Sequence, residues 1–293
     1  MERPDRDSSK IWENMMTAAL FSWGRTGFYG VALYLFSVLT GAAQTLNTPA
    51  VAPFDFKVNK PPILATNKNF SPLIIGGSRT NDYKNVVAIM LDGKVHCSGT
   101  VIGAQTILTA AHCIDGYEDA IRANRMFYLV GSDVTSAEYG PKPIADAKYP
   151  GPMDKFQYDS STYVHDIGVL YTSEAIPEIA ATLHSQLPKW GDILNKQPLL
   201  FVGFGFNTPL GGEGIKREAP WGVSRADDSR VYFDNVAGKN TCSGDSGGPA
   251  FYRDQTIGTL LLTAITSIGD KNCTWGAETR VDAHREWIVT HTR

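Results

Sequence analysis

After residue 74 the chain alternates short hydrophobic runs with turn-forming residues, and the runs are rich in β-branched and aromatic side chains. This pattern predicts strands at 86–91, 100–102, 106–109, 127–130, 167–171, 199–204, 231–233 and 256–268. Asp92-Gly93, directly after the first run, is a strong signal for a tight hairpin. No long helical period separates the runs, which favours an antiparallel barrel or sandwich.

One helix is predicted at the end of the chain. Asp282 is a suitable N-cap for a helix over 283–289. The spacing turns Trp287 and Ile288 toward the core. The hydrophobic pattern therefore predicts an all-β domain with a short C-terminal helix.

The first 73 residues have a different composition. An uncharged apolar run follows Arg25 and ends in small residues, which is the pattern of a secretory signal peptide over 1–43. An uncleaved membrane anchor is the alternative, although the run is slightly short for a spanning helix. Residues 44–73 are rich in Pro and Asn, which predicts a pro-segment or linker. We therefore expect a secreted protein, extracellular or periplasmic, with its folded domain at 74–293.

Composition and charge exclude some classes of function. A net charge of −3 with scattered Lys and Arg argues against nucleic-acid binding. The four cysteines all follow the signal segment, and an even number in an exported chain suggests two disulfides with three possible pairings. Zinc binding is the competing interpretation, but no Cys-x-x-Cys spacing supports it. We expect neither a metal nor a cofactor.

Three short motifs carry candidate chemistry. His112 lies in a Thr-Ala-Ala-His-Cys segment, Asp166 precedes an apolar run, and Ser246 lies in Gly-Asp-Ser-Gly-Gly-Pro. A serine hydroxyl is a weak nucleophile and needs a base to take its proton. Histidine suits this role because its usual pKa is about 6.5. A buried carboxylate fixes the tautomer of that histidine. We predict that Ser246 is the nucleophile, His112 the base and Asp166 its orienting acid.

These motifs, in the order His, Asp, Ser, resemble those of the trypsin-like (chymotrypsin-fold) serine peptidases, and the resemblance runs from Ile74 to the C-terminus. It implies a serine endopeptidase that works through an acyl-enzyme. It also implies two antiparallel six-stranded β-barrels with the active site in the cleft between them. The first barrel would span about 74–180, the second about 190–281, and the C-terminal helix about 282–290.

The resemblance assigns further residues around the nucleophile. It implies that the backbone amides of Gly244 and Ser246 form the oxyanion hole. It implies disulfides between Cys97 and Cys113 and between Cys242 and Cys273. Another disulfide common in the family is absent, because its positions correspond to Leu199 and Tyr252.

The start of the domain resembles the N-terminus that such zymogens acquire on cutting. Ile74 opens an Ile-Ile-Gly-Gly segment, and its freed ammonium would pair with Asp245. In the uncut chain we expect His112 to be in place and Gly244 to be disordered or misaimed. Leu73 departs from the Arg or Lys usual before this junction, so the sequence does not identify the activating protease.

The resemblance also locates the primary specificity pocket. Asn240 stands where trypsin has the aspartate that selects Arg and Lys, and Glu278 stands where the family usually has tyrosine. The glycines are expected to leave room for a large side chain. Glu278 either attracts a cationic side chain, or turns to solvent or toward Arg280 and leaves a neutral pocket. The expected pocket residues are Asn240, Ser267, Gly269, Gly276 and Glu278.

Two other classes of function compete with this interpretation. The segment Gly244–Gly248 also fits G-x-S-x-G of the α/β-hydrolase esterases, but that motif needs a helix directly after the serine, where Gly-Gly-Pro stands here. A pseudoprotease acting as a binding module is the other alternative. The expected partners are protein or peptide substrates, an activating protease and protein inhibitors, with no nucleic acid. Membrane contact is expected only through the signal segment.

Overall fold

The structure is a computed structural model that describes residues 74, 76–136, 140–177, 198–207, 212–234, 240–255 and 258–293. All of them belong to one compact unit, Asp55–Arg293. The predicted signal peptide, the pro-segment and Leu73 lie outside the described residues. Within the described ranges, no helix has the length and apolar character needed to cross a membrane.

The described part of the chain consists mainly of strands. They are β1 (Ser78–Arg79), β2 (Val86–Leu91), β3 (Lys94–Gly103), β4 (Thr106–Thr109), β5 (Met126–Leu129), β6 (Lys142–Lys148), β7 (Gly168–Thr172), β8 (Leu199–Gly203), β9 (Arg217–Trp221), β10 (Arg225–Ala226), β11 (Arg230–Asp234), β12 (Pro249–Arg253), β13 (Leu260–Gly269) and β14 (Trp275–Arg280). The α-helices are α1 (Glu118–Arg122) and α2 (Arg285–Thr290).

The first half of the domain is a closed antiparallel barrel in the order β2-β3-β4-β7-β6-β5. The predicted hairpin is confirmed: Leu91 pairs with Lys94, and Asp92 and Gly93 between them have φ of 50° and 79°. Two positive φ values identify the turn type that matches strand twist. Buried aliphatic side chains such as Ile89 fill the barrel. The barrel therefore forms a rigid base for the loops at its ends.

The second half is an eight-stranded antiparallel sheet in the order β1-β9-β8-β12-β13-β14-β11-β10. Six of its strands have five or more residues, and the two-residue strands β1 and β10 extend the row at its ends. The all-β fold class predicted from the sequence is confirmed.

One predicted boundary is corrected. Ser78 of β1 pairs with Glu218 of β9, so the domain begins in the second sheet and not in the first barrel, which was predicted over 74–180. An exposed two-residue strand has no hydrophobic pattern of its own, and its partner is distant in sequence. The place of β1 in the second sheet could therefore be assigned only from the tertiary structure.

The predicted C-terminal helix is present. A 3-10 turn at Asp282–His284 leads into α2, and Trp287 and Ile288 are buried as predicted. The Asp282 carboxylate accepts hydrogen bonds from Arg280 Nε at 3.0 Å and Nη2 at 2.6 Å. These charged bonds link the end of β14 to the start of the 3-10 turn.

Hydrophobic packing occupies the positions of the absent disulfide. Leu199 and Tyr252 belong to the same buried cluster, together with Phe201 and Phe233. Phe201 packs edge-on against Phe233, with ring centroids 4.7 Å apart. Apolar contact therefore joins these strands at the two positions of the absent disulfide.

Candidate active site

Small side chains place His112 at the rim of the barrel. It lies in a 3-10 turn, Ala111–Cys113, directly after β4, and both Ala110 and Ala111 are fully buried. Larger side chains in place of Ala110 or Ala111 would overpack this buried segment. The Cys97–Cys113 disulfide ties the turn to β3. The imidazole is thus presented from a short, anchored turn.

Asp166 is fully buried and accepts three hydrogen bonds. The backbone N–H of His112 lies 2.9 Å from Oδ1, and His112 Nδ1 lies 2.7 Å from Oδ2. Ser267 donates its hydroxyl to Oδ2 at 2.6 Å. A buried carboxylate needs such donors to offset its lost hydration. The arrangement places a proton on His112 Nδ1 and leaves Nε2 able to accept one.

Ser267 has a contact that sequence reasoning missed. It was predicted as a wall of the specificity pocket, and it does line the cleft, but its hydroxyl is directed at Asp166. The two residues are 101 positions apart. No local pattern signals a contact over that distance.

The nucleophile turn depends on two glycines. Gly244 and Gly247 flank Asp245-Ser246 with φ of 89° and 75°, a region that side-chain-bearing residues rarely adopt. A Cβ on Gly247 would lie 2.0 Å from Thr109 Oγ1 of the barrel. Glycine is therefore required there by both backbone conformation and space.

The amide groups of the turn have defined directions. The carbonyl of Ser243 accepts from Phe206 N at 2.7 Å, and that of Asp245 accepts from Gly248 N at 2.8 Å. In a trans peptide the N–H points away from the preceding carbonyl, so the amides of Gly244 and Ser246 point away from these bonds. Neither amide donates to another described group. Gly244 thus has a defined backbone conformation in the structure, with φ of 89°.

Ser98 joins the barrel to the nucleophile turn. Its hydroxyl donates to Gly244 O at 2.9 Å and accepts from Phe204 N at 3.0 Å. Its backbone N–H donates to Ser246 O at 2.8 Å. These bonds span more than 100 residues of sequence and position the second sheet against the first barrel.

Asp245 is buried beside the nucleophile. Its carboxylate accepts from Gly205 N at 2.8 Å and from Cys242 N at 2.9 Å. Burial raises the pKa of Asp245 to about 6, and these amide bonds and the charge of Arg217 oppose the rise. Ile74, the residue whose freed ammonium was expected to pair with Asp245, is also buried.

Glu278 is buried beneath the cleft. Its Oε1 lies 3.5 Å from Thr241 Oγ1, and Oε2 has no hydrogen-bond partner among the described residues. Burial raises the pKa of Glu278 to about 8. Arg280 is engaged by Asp282, at 2.6 Å. In the structure Glu278 is therefore buried rather than turned to solvent.

The two predicted pocket glycines are close to protein atoms. A Cβ on Gly276 would lie 3.1 Å from Asn240 Oδ1, and one on Gly269 would lie 2.9 Å from Trp275 O. Gly276 thus makes room for the buried Asn240 side chain rather than for a substrate. Asn240 Nδ2, like Glu278 Oε2, has no partner among the described residues.

A cleft of about 690 Å³ brings these parts together. His112 and Tyr163 line it from the barrel, and Thr241, Ser246 and Trp275 from the second sheet. The ring of Tyr163 meets the His112 ring edge-on, with centroids 5.6 Å apart. The Cys242–Cys273 disulfide closes one wall.

One group of side chains near the cleft has the composition of a metal site. Cys97, His112 and Cys113 place potential ligand atoms within 4.8 Å of one another. Both sulfurs are joined in the disulfide, and a metal would require the free thiolates. The group is therefore part of the support for His112.

The barrel, the antiparallel sheet and the cleft between them define a two-lobed β peptidase of the serine class. The sequence model of the family described as Trypsin matches residues 74–288, and the chain belongs to that family. It is a serine-type endopeptidase, as the motifs predicted.

Named relatives cover most of the described domain. Brachyurin of Leptuca pugilator is 29% identical over 239 residues, which span 75% of this chain and 98% of that protein. Trypsin of Phaedon cochleariae is 30% identical over 251 residues, or 79% and 92% of the two chains. Collagenase of Hypoderma lineatum is 27% identical over 220 residues, or 68% and 77%.

Proposed function

We propose that this endopeptidase cleaves peptide bonds through an acyl-enzyme formed on Ser246, with His112 as base and Asp166 as orienting acid. The observation that carries the proposal is that the Asp166 carboxylate accepts two hydrogen bonds from His112. One comes from the backbone N–H at 2.9 Å and the other from ring Nδ1 at 2.7 Å. Ser246 and His112 both line the cleft.

The chemistry follows from these groups. As Ser246 Oγ bonds to the scissile carbonyl carbon, its proton passes to His112 Nε2, and the carbonyl oxygen becomes an oxyanion facing the amides of Gly244 and Ser246. The C–N bond then breaks, and Nε2 returns the proton to the departing amine. Water then attacks the acyl carbon and gives a proton to Nε2. The bond between that carbon and Ser246 Oγ breaks, Nε2 returns the proton to Oγ, and the acid is released.

Active-site labelling tests this proposal. A fluorophosphonate should label the protein on Ser246, and Ser246→Ala should abolish both labelling and hydrolysis. Asp166→Asn should keep the fold and lower kcat by about 10⁴-fold, because the imidazole loses its required tautomer. A folded protein that neither takes the label nor hydrolyses peptides, cut or uncut, would be a pseudoprotease.

We further propose that the specificity pocket accepts Arg or Lys through Glu278. The buried Oε2 of Glu278 lacks a hydrogen-bond donor among the described residues, which is costly unless a ligand supplies one. Thr241 lines the cleft and touches Glu278, so it marks the path from the cleft to the carboxyl group. The cationic end of an Arg or Lys side chain would supply hydrogen-bond donors and a positive charge to the Glu278 carboxyl group.

Matched peptides test the pocket. Wild type should prefer Arg or Lys over Phe or Leu at the position before the cut, and Glu278→Gln should lose that preference while retaining hydrolysis of Phe or Leu peptides. A preference that survives the substitution would assign cationic selectivity to another group.

We also propose that the protein is secreted and processed between Leu73 and Ile74. Support comes from the signal-like run over 1–43, and from the burial of Ile74 and Asp245. Expression with the native leader, followed by N-terminal sequencing of the protein in the medium, tests both points. A chain that stays with the cells and begins at residue 1 would contradict them.

A further inference from the structure

A glycosylation sequon lies in the loop between β13 and β14. The chain has two Asn-x-Ser/Thr sequences, Asn69-Phe-Ser and Asn272-Cys-Thr. Asn69 lies outside the described residues, whereas Asn272 and Thr274 are both exposed. Such a sequence, without proline in the middle, accepts N-linked oligosaccharide when it lies on the surface of a secreted protein. Asn272 meets the requirements of both sequence and exposure.

The side chain of Asn272 is open to modification. Its backbone N–H donates to Asp270 Oδ2 at 3.2 Å, but its side-chain amide bonds to no other described group. A sugar on Asn272 Nδ2 would therefore replace contacts with solvent and break no contact within the fold.

Asp270 holds this loop in one conformation. Its Oδ2 accepts from Thr274 Oγ1 at 2.9 Å, and its Oδ1 accepts from Trp275 N at 3.1 Å. The N–H of Cys273 donates to Asp270 O at 2.9 Å, and the disulfide ties Cys273 to Cys242. A group attached to this loop therefore has a fixed place relative to the nucleophile turn.

That place is the rim of the cleft. Lys271 and Cys273, on either side of Asn272, line the cleft that contains Ser246. Asn272 itself is exposed and does not line the cleft. A sugar on Asn272 would therefore stand beside the opening without filling it.

We propose that Asn272 carries an N-linked oligosaccharide, which restricts access of folded proteins to the cleft and leaves the cleft open to short peptides. This rests on the secretion proposed above, because the sugar is transferred on the secretory route. Asn272 Nδ2 bonds to the anomeric carbon of a lipid-pyrophosphate-linked oligosaccharide. The bond from that carbon to the pyrophosphate oxygen breaks, and one amide proton is released.

The effect on access follows from size. An N-linked oligosaccharide is bulky and hydrated, so it competes with any partner that must cover the rim. A folded protein covers a wide area around the bond that is cut, whereas an extended peptide needs only the cleft. The sugar should therefore discriminate between substrates by shape and leave the chemical step unchanged.

Mass spectrometry tests the modification. The chain is expressed with its native leader in insect cells, and the secreted protein is treated with peptide N-glycosidase in heavy-oxygen water. Position 272 should take up heavy oxygen as its sugar is released. Asn272→Gln should lack this sugar, and Thr274→Ser should retain it, since serine also completes the sequon.

Kinetics test the consequence. The value of kcat/KM is measured for a short peptide and for a folded protein that carries the same sequence in a surface loop. Enzymatic removal of the sugar, or Asn272→Gln, should raise the protein-to-peptide ratio of kcat/KM by at least about threefold, because association is less obstructed. The peptide value alone should not change. Asn69→Gln is the matched control and should leave the ratio as it is.

Two results would overturn the inference: a secreted protein without sugar on Asn272, and an unchanged ratio after the sugar is removed. If the native chain stays in the cells, residues 1–43 are replaced by a known secretory signal. Sugar on Asn272 of that form would refute only the native leader, and its absence would refute the inference. An enzyme that carries the sugar and hydrolyses neither substrate would refute the role of Ser246.

Discussion

At the scale of single residues, the groups assigned to chemistry are buried and depend on distant partners. Asp166 is held by His112, 54 positions away, and by Ser267, 101 positions away. Each donor offsets part of the cost of burying the carboxylate. The position of one side chain thus depends on three separate elements.

Removing one donor should weaken the triad without destroying it. Ser267→Ala should lower kcat by about tenfold with little change in KM, because Asp166 loses one of three hydrogen bonds, worth about 1–2 kcal/mol. Steady-state kinetics measure the effect. In an Asp166→Asn background the same substitution should add almost nothing. An additive loss in the double variant would show that Ser267 acts elsewhere.

Glu278 should make specificity depend on pH. Its pKa of about 8 means that it is mostly protonated at pH 6 and ionised at pH 9. The ratio of kcat/KM for Lys peptides to that for Leu peptides should rise by at least about tenfold over this range, since ionisation adds an attractive charge. Glu278→Gln should give a flat ratio. A rise that persists in that variant would contradict the assignment.

At the scale of elements, a histidine pair anchors the C-terminal helix near the active site. His165 Nδ1 lies 2.8 Å from His284 Nε2, and His284 Nδ1 lies 2.7 Å from Arg280 O. The ring of Phe156 packs on both imidazoles, with centroids 5.1 Å away in each case. His165 directly precedes Asp166. The hydrogen bond between the two histidines therefore links the start of α2 to the segment that carries Asp166.

The pair should make stability fall in mild acid. Burial lowers the pKa of His284 from 6.5 to about 4, with His165 and Arg280 adding to the effect and Asp282 and the Arg280 carbonyl opposing it. Between pH 6.5 and 4, His284 therefore binds a proton in the unfolded chain but stays neutral in the folded chain. The free energy of unfolding should drop by about 3 kcal/mol from pH 6.5 to 4. Denaturant unfolding of wild type and His284→Asn measures this, and equal pH slopes would contradict it.

At the scale of the whole molecule, the proposed active site lies where the barrel meets the second sheet. His112 and Asp166 come from the barrel side, and Ser246 from the second sheet. Ser98 crosses this boundary with hydrogen bonds to Gly244, Phe204 and Ser246. Relative placement of the two halves is therefore part of the catalytic geometry.

Breaking that bridge should affect stability and rate together. Ser98→Ala leaves a buried amide and a buried carbonyl unpaired, so it should cost about 1–3 kcal/mol in unfolding free energy and also lower kcat. Ser136→Ala, an exposed serine on a turn, is the control and should change neither quantity. If Ser98→Ala lowered stability alone, the bridge would have no part in orienting the turn.

Local sequence was sufficient for the features that local conformation dictates. The hairpin at Asp92-Gly93 needs two positive φ values, and the alternation of apolar and turn residues identified most of the barrel strands. The polar strand β6 was missed, because its exposed residues give no hydrophobic period.

The sequence by itself determined the family, the fold class and the candidate nucleophile, base and acid, because short motifs encode the turns that present them. Tertiary structure alone decided that Ser267 holds Asp166, that Ser98 bridges the halves, and that Glu278 is buried. Those facts depend on hydrogen bonds and burial between residues distant in sequence, and folding sets these distances. His112, Asp166 and Ser246 were readable in sequence, but the groups that support them were not.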